Sequence, residues 1–309
     1  MTATNGASQP RRSRGQRLIL LVPYLWLVAF FLVPFLIVLK ISFSQTVIAQ
    51  PPYTPVLDLS AGLMGLKEFF SGLSLANYLA VAADSIYLAS YLKSLQVAAV
   101  STLILLALGY PLAYGMARAP ARLQPLLVTL VVLPFWTSFL IRVYAWINIL
   151  QHDGLLNRAL MALGLVDQPP VWLSTDSAIY IGIVYSYLTF MTLPIYAALE
   201  KADDTLLEAA ADLGCPPWKA FWRVTWPLSL PGVRAGMLLC FIPIVGEFVI
   251  PDLLGGSETL MIGQTMWTEF FTDRDWPAAS TVAIMLLIIL VVPIVAYQHV
   301  ETRALERGR

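Results

Sequence analysis

Two ionisable side chains lie inside long apolar stretches of this 309-residue chain. Arg142 is part of "FLIRVYAW" and Glu247 is part of "IVGEFVIP". A charge at the centre of a bilayer costs about 2.5–3.5 kcal/mol, so each residue is expected to face a cavity or a partner group. One interpretation is an Arg142–Glu247 ion pair, or snorkelling near a span end. The other is that Glu247 lines a path for a cationic solute.

Aromatic residues follow the same stretches. Phe135 and its neighbours could offer ring faces to an ammonium group through cation–π contacts. Aromatic side chains in such places also serve in packing or in the membrane-interface belt, and that alternative stays open. The candidate substrate-path residues are Glu247, Arg142, Trp136, Tyr144 and Trp146.

The residues that other chemistries need are absent from the sequence or wrongly spaced. His152, His299, Cys215 and Cys240 form neither a metal-ligand pattern nor a disulfide framework. No G-x-x-x-x-G-K-[ST] phosphate loop, no G-x-S-x-G turn and no paired His/Glu metal motif occurs. We therefore assign no catalytic residue and no metal ligand, and expect no enzyme activity. A formal net charge of zero also argues against a nucleic-acid partner.

The composition makes the lipid bilayer the expected solvent of the chain. Hydrophobic residues make up 58% and charged residues 12%, whereas soluble domains carry about 25% charged residues. A span needs roughly 17–25 mostly apolar residues, and six segments qualify. The prediction is an all-α polytopic membrane bundle with six transmembrane helices near Leu18–Leu39, Leu95–Ala117, Leu126–Leu150, Ala178–Leu199, Val233–Ile250 and Ala278–Tyr297.

Lysine and arginine near the span ends set the expected orientation. With the N-terminus in the cytoplasm, thirteen basic residues lie inside and five outside, and Arg142 lies within a span. Both termini are therefore predicted to be cytoplasmic, and the first span is expected to remain as an anchor. The predicted organisation is a basic, disordered tail over 1–17, a first span over 18–39, a periplasmic segment over 40–94, a core of five spans over 95–299 with a cytoplasmic hairpin over 200–231, and a cytoplasmic tail over 300–309.

The hairpin contains the stretch "EAAADLGCPPWKAFWRVTWPLSLPG" from Glu208 to Gly232. Thr205 and Glu208 fit a capping box at the start of a short helix, and Gly214 is a natural left-handed stop. Cys215-Pro216-Pro217 favours the start of a second helix. Pro227 and Pro231 are expected to end that second helix before the fifth span.

The spacing of this stretch resembles the EAA motif of ABC-importer permeases. The family pattern is Glu-Ala-Ala, three residues, Gly, nine residues and Ile-x-Leu-Pro. Here Val224 stands for the Ile, and Trp226 departs from the usual Leu. In that family the hairpin is the coupling helix that docks on a separate ATPase. The resemblance implies an ATPase-coupling set of Glu208, Ala209, Ala210, Gly214, Trp218, Phe221, Trp222 and Pro227.

Further stretches resemble the spermidine/putrescine-type permeases. They include "LPFWTSFLIRVYAWINIL", "FIPIVGEFVIPDLLGG" and "MIGQTMWTEFF", and the likeness extends over most of Asn77 to Ile289. It implies a type I ABC-importer permease in the bacterial inner membrane, with two ATPase subunits that bind ATP and Mg²⁺, a second, related permease and a periplasmic solute-binding protein. No cofactor is expected in this chain.

The substrate stays open at this point. The resemblance implies a polyamine-like cation, but relatives of the same class carry opines, amino-acid-like compounds or other small solutes. An ion-coupled secondary transporter is the alternative from another class, because it would also explain six spans and an acidic residue within one of them. An intramembrane enzyme is disfavoured by the missing motifs.

Overall fold

The computed structural model describes residues 14–56, 67, 69–203, 205–256 and 259–307. Most of the predicted N-terminal tail and positions 308 and 309 lie outside these ranges. Helices dominate the described part: α1 Arg14–Leu27, α2 Val33–Ser42, α3 Ala76–Ala83, α4 Ser85–Ala117, α5 Gln124–Val132, α6 Phe139–Leu150, α7 Leu155–Ala162, α8 Asp176–Glu200, α9 Thr205–Asp212, α10 Pro217–Ala220, α11 Trp226–Val245, α12 Val249–Leu254, α13 Ile262–Trp267 and α14 Trp276–Arg307.

Short π-helical and 3₁₀ segments join several of these helices. Val28–Leu32 connects α1 to α2, Phe221–Thr225 connects α10 to α11, and Thr268–Thr272 follows α13; each of the three is a π-helix. Leu133–Trp136 is a 3₁₀ turn that follows α5. The first and fifth apolar segments therefore continue as helix through their π segments.

Five helical segments of the described chain are long and apolar enough to cross a membrane. A bent pair, Gln124–Trp136 with Phe139–Ala162, counts as a sixth span if its two parts are taken together. The all-α polytopic prediction is confirmed. The five are Leu21–Ser42, Ser85–Ala117, Asp176–Glu200, Pro217–Val245 and Trp276–Val295.

The predicted third span, Leu126–Leu150, is not one straight helix. Its two halves meet at an angle of 87°. Pro134 lies in the 3₁₀ turn, and the Thr137 hydroxyl donates to the Pro134 carbonyl at 2.8 Å. Ser138, with extended ψ, precedes the first residue of α6. Pro134 interrupts the helical hydrogen bonds, and the nearby hydroxyl residues Thr137 and Ser138 favour local side-chain bonds to the backbone. The chain can therefore turn here while the freed backbone groups find local partners.

The centre of the bundle is formed by α4, α8 and α11, which pack against one another, while α14 packs against α2. Fully buried side chains between them include Leu105, Ile183, Met191 and Ile244. In lipid, helix association depends on close van der Waals packing more than on apolar burial. The fit between these three helices is therefore the main determinant of the bundle geometry.

Gly232 and Gly236 of α11 lie in this central contact, and their spacing of four residues suits close helix packing. A Cβ on Gly232 would lie 2.4 Å from the Pro194 carbonyl oxygen of α8. A Cβ on Gly236 would lie 3.0 Å from the Met191 carbonyl oxygen. Both glycines bring the backbone of α11 against that of α8.

The segment that follows α2, which was predicted to be periplasmic, is partly described. A two-residue antiparallel pair, β1 Gln45–Thr46 with β2 Tyr53–Thr54, lies beside the start of α14. The Thr46 hydroxyl donates to Asp275 Oδ1 at 2.6 Å. Helix α4 begins at Ser85, ten residues before the predicted start of the second span at Leu95.

Candidate coupling hairpin and transport path

The turn of the hairpin has the geometry that its glycine predicts. Gly214 has a φ of +74°. Its N–H donates to the Ala211 carbonyl at 2.8 Å, and the Cys215 N–H donates to the Ala210 carbonyl at 2.9 Å. These two bonds form a Schellman motif, which closes α9 in a fixed direction. Two N–H groups of α10 then donate to the Pro216 carbonyl, so the second helix starts where the prolines predict.

The start of α9 differs from the predicted capping box. Thr205 is the first helical residue, and its backbone N–H donates to Asp203 Oδ1 at 3.0 Å. The carboxyl group of Asp203 thus takes the capping place that was predicted for the Thr205 hydroxyl. The Thr205 backbone amide and then its side chain hold the pKa of Asp203 below its ordinary value. A carboxylate at this end also suits the positive pole of the helix.

The hairpin presents large apolar side chains to its surroundings. Leu213 is 87% exposed, Trp218 65% and Trp222 54%. Glu208 and Ala209 are also exposed, whereas Ala210 is partly buried. Such a cluster on a short, well-capped turn is typical of a protein-contact surface.

Phe221, which the resemblance places in the same coupling set, points the other way. Its ring packs edge-to-face on Tyr110 and Tyr114 of α4, with centroid distances of 5.7 and 5.9 Å. Trp218 and Trp222 therefore form the outer face of the hairpin, and Phe221 fixes the hairpin to a central helix.

Pro227 and Pro231 do not end the second helix, contrary to the prediction. The helical path runs from Pro217 to Val245 without interruption. The π turn over Phe221–Thr225 ends two residues before Pro227. Its extra residue per turn widens the helix just before the proline ring, where an α-helical carbonyl would clash with it. The hairpin is thereby continuous with a membrane span.

Trp226, where the family pattern has Leu, is partly buried at this junction. Its ring lies 5.1 Å from the Tyr110 ring and 5.6 Å from the Trp222 ring. The Tyr110 hydroxyl also lies 3.0 Å from Ser229 Oγ. The larger indole fills the space between the outer face of the hairpin and α4. Tyr110 is a contact residue that the motif alone did not identify.

Glu247 occupies a break between two helices and not the middle of a span. Helix α11 ends at Val245, and α12 begins at Val249. The Glu247 carboxylate accepts a hydrogen bond from the Tyr187 hydroxyl at 2.7 Å and from the Val249 N–H at 3.1 Å. The side chain is partly buried. It thus holds the start of α12 while it keeps a carboxylate inside the bundle.

Arg142 forms no ion pair with Glu247. Its guanidinium carbon lies 5.0 Å from the centre of the Phe135 ring and 5.8 Å from that of Phe139. The Nε and Nη1 atoms are buried and have no hydrogen-bond partner in the described structure. The predicted Arg142–Glu247 pair is therefore wrong for this conformation of the chain.

None of the three predicted aromatic path residues forms a hydrogen bond with Glu247 in the described part of the chain. Trp136 is 74% exposed and Tyr144 is 54% exposed. Trp146 is partly buried and packs edge-to-face on Tyr185 of α8 at 5.3 Å. The structure therefore places Trp146 in packing, and the other two on an outer face of α6 and the turn before it.

A polar cleft at the N-terminal end of α8 was not predicted from the sequence. It has a volume of about 660 Å³ and is lined by Lys93, Asp176, Thr259 and the Gly255–Gly256 turn, among others. Lys93 Nζ and Asp176 Oδ2 form an ion pair at 2.5 Å. The sequence shows a lysine at the start of one apolar stretch and an aspartate at the start of another. Their pairing across 83 residues depends on the tertiary structure and could not be predicted from local sequence.

No group of three or more His, Cys, Asp or Glu side chains that could hold a metal ion occurs in the described ranges. Cys215 is partly exposed and Cys240 is buried, and both are free thiols. The Cys240 thiol donates to the Tyr187 carbonyl at 3.6 Å, which is a packing contact within the bundle.

Residues 106–304 match the family model described as the inner membrane component of binding-protein-dependent transport systems. The chain belongs to this family. The matched region contains the hairpin, the Glu247 break and the bent helix pair. The family assignment agrees with the hairpin geometry, and the chain is accordingly a permease subunit of an ABC importer.

Named relatives match most of the permease. The spermidine/putrescine transport system permease protein PotB of Haemophilus influenzae is 37% identical over 285 residues, which cover 92% of this chain and 93% of the relative. PotB of Escherichia coli K12 is 42% identical over 214 residues, which cover 69% of this chain and 78% of the relative. The permease protein YdcU of the same organism is 32% identical over 211 residues.

Solved structures share the fold. A chain of a bacterial ABC transporter that imports the acidic polysaccharide alginate aligns with a TM-score of 0.68 at 16% identity, over 93% of this permease and 94% of that chain. A second structure of the alginate transporter, in complex with an alginate pentasaccharide-bound periplasmic protein, aligns with a TM-score of 0.66. At this identity the likeness shows the helical arrangement alone.

Proposed function

We propose that this permease moves a polyamine of the spermidine or putrescine class inward across the bacterial inner membrane. The observation that carries the proposal is the hairpin, whose exposed tryptophans lie on a turn that is continuous with a membrane span. The named relatives point to the substrate class, since the two PotB proteins are 37% and 42% identical to this chain.

The chain works with partners that supply energy and substrate. Two ATPase subunits bind ATP and Mg²⁺, a second permease completes the path, and a periplasmic binding protein delivers the solute. The hairpin lies on the cytoplasmic side with both termini, and the Lys93–Asp176 cleft lies on the outer side. The positions of these two features at opposite ends of α8 support this assignment.

The hairpin passes the ATPase motion to the spans. When ATP closes the ATPase pair, the docked face of Trp218 and Trp222 moves with it. Phe221 and Trp226 pack against Tyr110, so the motion reaches α4, and the unbroken helix carries it along α11. A rigid, capped hairpin moves as one body, where a flexible loop would absorb the displacement. The cavity then alternates between its outward- and inward-facing forms.

A polyamine carries several ammonium groups, and Glu247 is the acidic side chain placed among the central helices to attract them. Its carboxylate keeps acceptor capacity beyond the Tyr187 hydroxyl and the α12 amides. The rival assignment is an ion-coupled secondary transporter that uses Glu247 as its ion site. That assignment leaves the exposed tryptophan face of the hairpin without a role.

The substitution Gly214→Arg tests the coupling role. Bulk and charge at a residue with a φ of +74° disturb the turn on the docking face. We expect normal membrane abundance but at least about a tenfold loss of co-purified ATPase subunits and of ATP-driven uptake, as for a central interface residue. The measurements are a pull-down through a tag on this chain, and uptake of labelled spermidine by the same cells.

Gly164→Arg is the matched control. Gly164 closes α7 with the same pair of bonds, has a φ of +67° and has open space around it, but it lies near the opposite end of α8. We expect this variant to retain the ATPase subunits. If Gly214→Arg retained them as well and transported normally, the hairpin would not be the coupling element.

A further inference from the structure

The Arg142 guanidinium has no carboxylate partner in the described part of this chain. Its Nε and Nη1 atoms are buried without a hydrogen-bond partner. Its neighbours Phe135 and Phe139 offer ring faces, which offset only part of the charge. A buried charge without a counter-charge is expensive, so a guanidinium in this state is expected to meet an anion from outside the chain.

The depth of Arg142 limits which anions can reach it. The Phe135 ring under the guanidinium packs on Phe190 at 5.0 Å. Phe190 lies ten residues before the end of α8 at Glu200 and fourteen after its start at Asp176, so it is roughly 15 Å along the axis from the nearer end. Lipid phosphates lie outside the hydrocarbon layer, which is about 30 Å thick. Because two of its nitrogens are enclosed by protein, the side chain does not snorkel to them.

The face beside Arg142 is open and apolar. Leu140, Ile141 and Tyr144 share one side of α6 and are 49%, 66% and 54% exposed. Trp136, at the end of the preceding 3₁₀ turn, is 74% exposed. Arg142 lies at the border of this face and stays partly exposed. Its remaining nitrogen, Nη2, is the one available to a group outside the chain.

We infer that this face of α6 is an interface with a second permease subunit, which contributes a carboxylate to Arg142 in the middle of the membrane. The inference rests on the proposed function, which requires a second permease. A hydrogen bond from Nη2 to a carboxylate in this setting compensates the charge and also fixes how the two subunits meet. Leu140, Ile141, Tyr144 and Trp136 would form the apolar surround that excludes lipid from the pair.

A substrate anion is a poorer occupant than a subunit carboxylate. The proposed substrate is a polycation, and an uncompensated guanidinium on its path would repel it. Once paired across the interface, Arg142 no longer opposes the passage of a cation. It is therefore a positioning residue for the assembly and not a binding residue for the polyamine.

The test compares three variants of the tagged chain in its native membrane. Arg142→Gln removes the charge, Arg142→Lys keeps it, and Arg158→Gln removes an exposed cation from α7 of the same helix pair. We expect Arg142→Gln to recover at least about tenfold less of the second permease, in line with the loss of a buried ion pair. The two other variants should retain it, and all three should retain the ATPase subunits through the hairpin.

A photo-crosslinking residue at Tyr144, with Arg142 left native, gives a measurement that does not depend on a charge variant folding. It should yield an adduct with the second permease. Normal recovery of that subunit by Arg142→Gln, restoration of its recovery by added anionic lipid, or crosslinking at Tyr144 to lipid alone would overturn the inference. If the wild-type chain brought down no second permease at all, the proposed function itself would fail.

Discussion

At the scale of single residues, sequence and structure give different information about Glu247. The sequence identified an acid in an apolar stretch and offered a pair with Arg142 or a place on the path. The structure adds that the carboxylate holds the start of α12 and the Tyr187 hydroxyl. The Tyr187 contact could not be read from the sequence, because Tyr187 lies on another helix, 60 residues away.

The charge of Glu247 can be separated from its capping role. Glu247→Gln keeps an oxygen to accept the Val249 amide but removes the charge, whereas Tyr187→Phe removes one hydrogen bond and no charge. Because a hydrogen bond to a charged group contributes about 1.5–3 kcal/mol, we expect Glu247→Gln to lower spermidine uptake about tenfold or more. Tyr187→Phe should lower it less. The measurement is the concentration dependence of uptake into cells with equal amounts of each variant in the membrane.

Unchanged uptake by a stably inserted Glu247→Gln permease would remove Glu247 from the path and leave it as a structural cap. A large loss in Tyr187→Phe with none in Glu247→Gln would point to the same conclusion. Binding of the ATPase subunits serves as the control, since neither residue contacts the hairpin.

At the scale of elements, local rules predicted some helix ends and missed others. Gly214 and the prolines at 216 and 217 act within one turn, and the helix stop and helix start that they predict are confirmed. Pro227 was read as a helix stop because a π turn leaves no clear mark in the sequence. The bend after Pro134 was missed because apolar composition reports the length of a span and not its direction.

Packing between α8 and α11 yields a stability prediction. Gly232→Ala places a Cβ 2.4 Å from the Pro194 carbonyl oxygen, so the two helices must separate. Overpacking of this kind costs about 1–3 kcal/mol. We expect a lower unfolding temperature for the purified permease in detergent, measured by the loss of its monodisperse chromatographic peak on heating.

Gly115→Ala in α4 is the matched control for that measurement. A Cβ at Gly115 meets nothing within 4 Å, and alanine favours a helix over glycine. The Gly115→Ala permease should unfold at or above the wild-type temperature. Equal unfolding temperatures for Gly232→Ala and wild type would show that the α8–α11 contact accommodates the added Cβ without loss of stability.

At the scale of the whole molecule, the sequence predicted the helical class, five of the six spans as single helices, and the permease family. These predictions follow from the composition and from a motif with fixed spacing, and both can be read directly from the linear sequence. The grouping of α4, α8 and α11, the Lys93–Asp176 cleft and the isolation of Arg142 depend on pairings across many residues. No local pattern states which faces of six apolar helices meet.

We propose that ATP hydrolysis on a partner drives polyamine import through this permease by way of the hairpin. The most direct test is uptake of labelled spermidine by liposomes that hold the complex purified through this chain, with its binding protein outside and ATP within. We expect uptake that requires ATP, persists with a protonophore and is lost in Gly214→Arg. Uptake that proceeds without ATP and stops when a protonophore is added would contradict it.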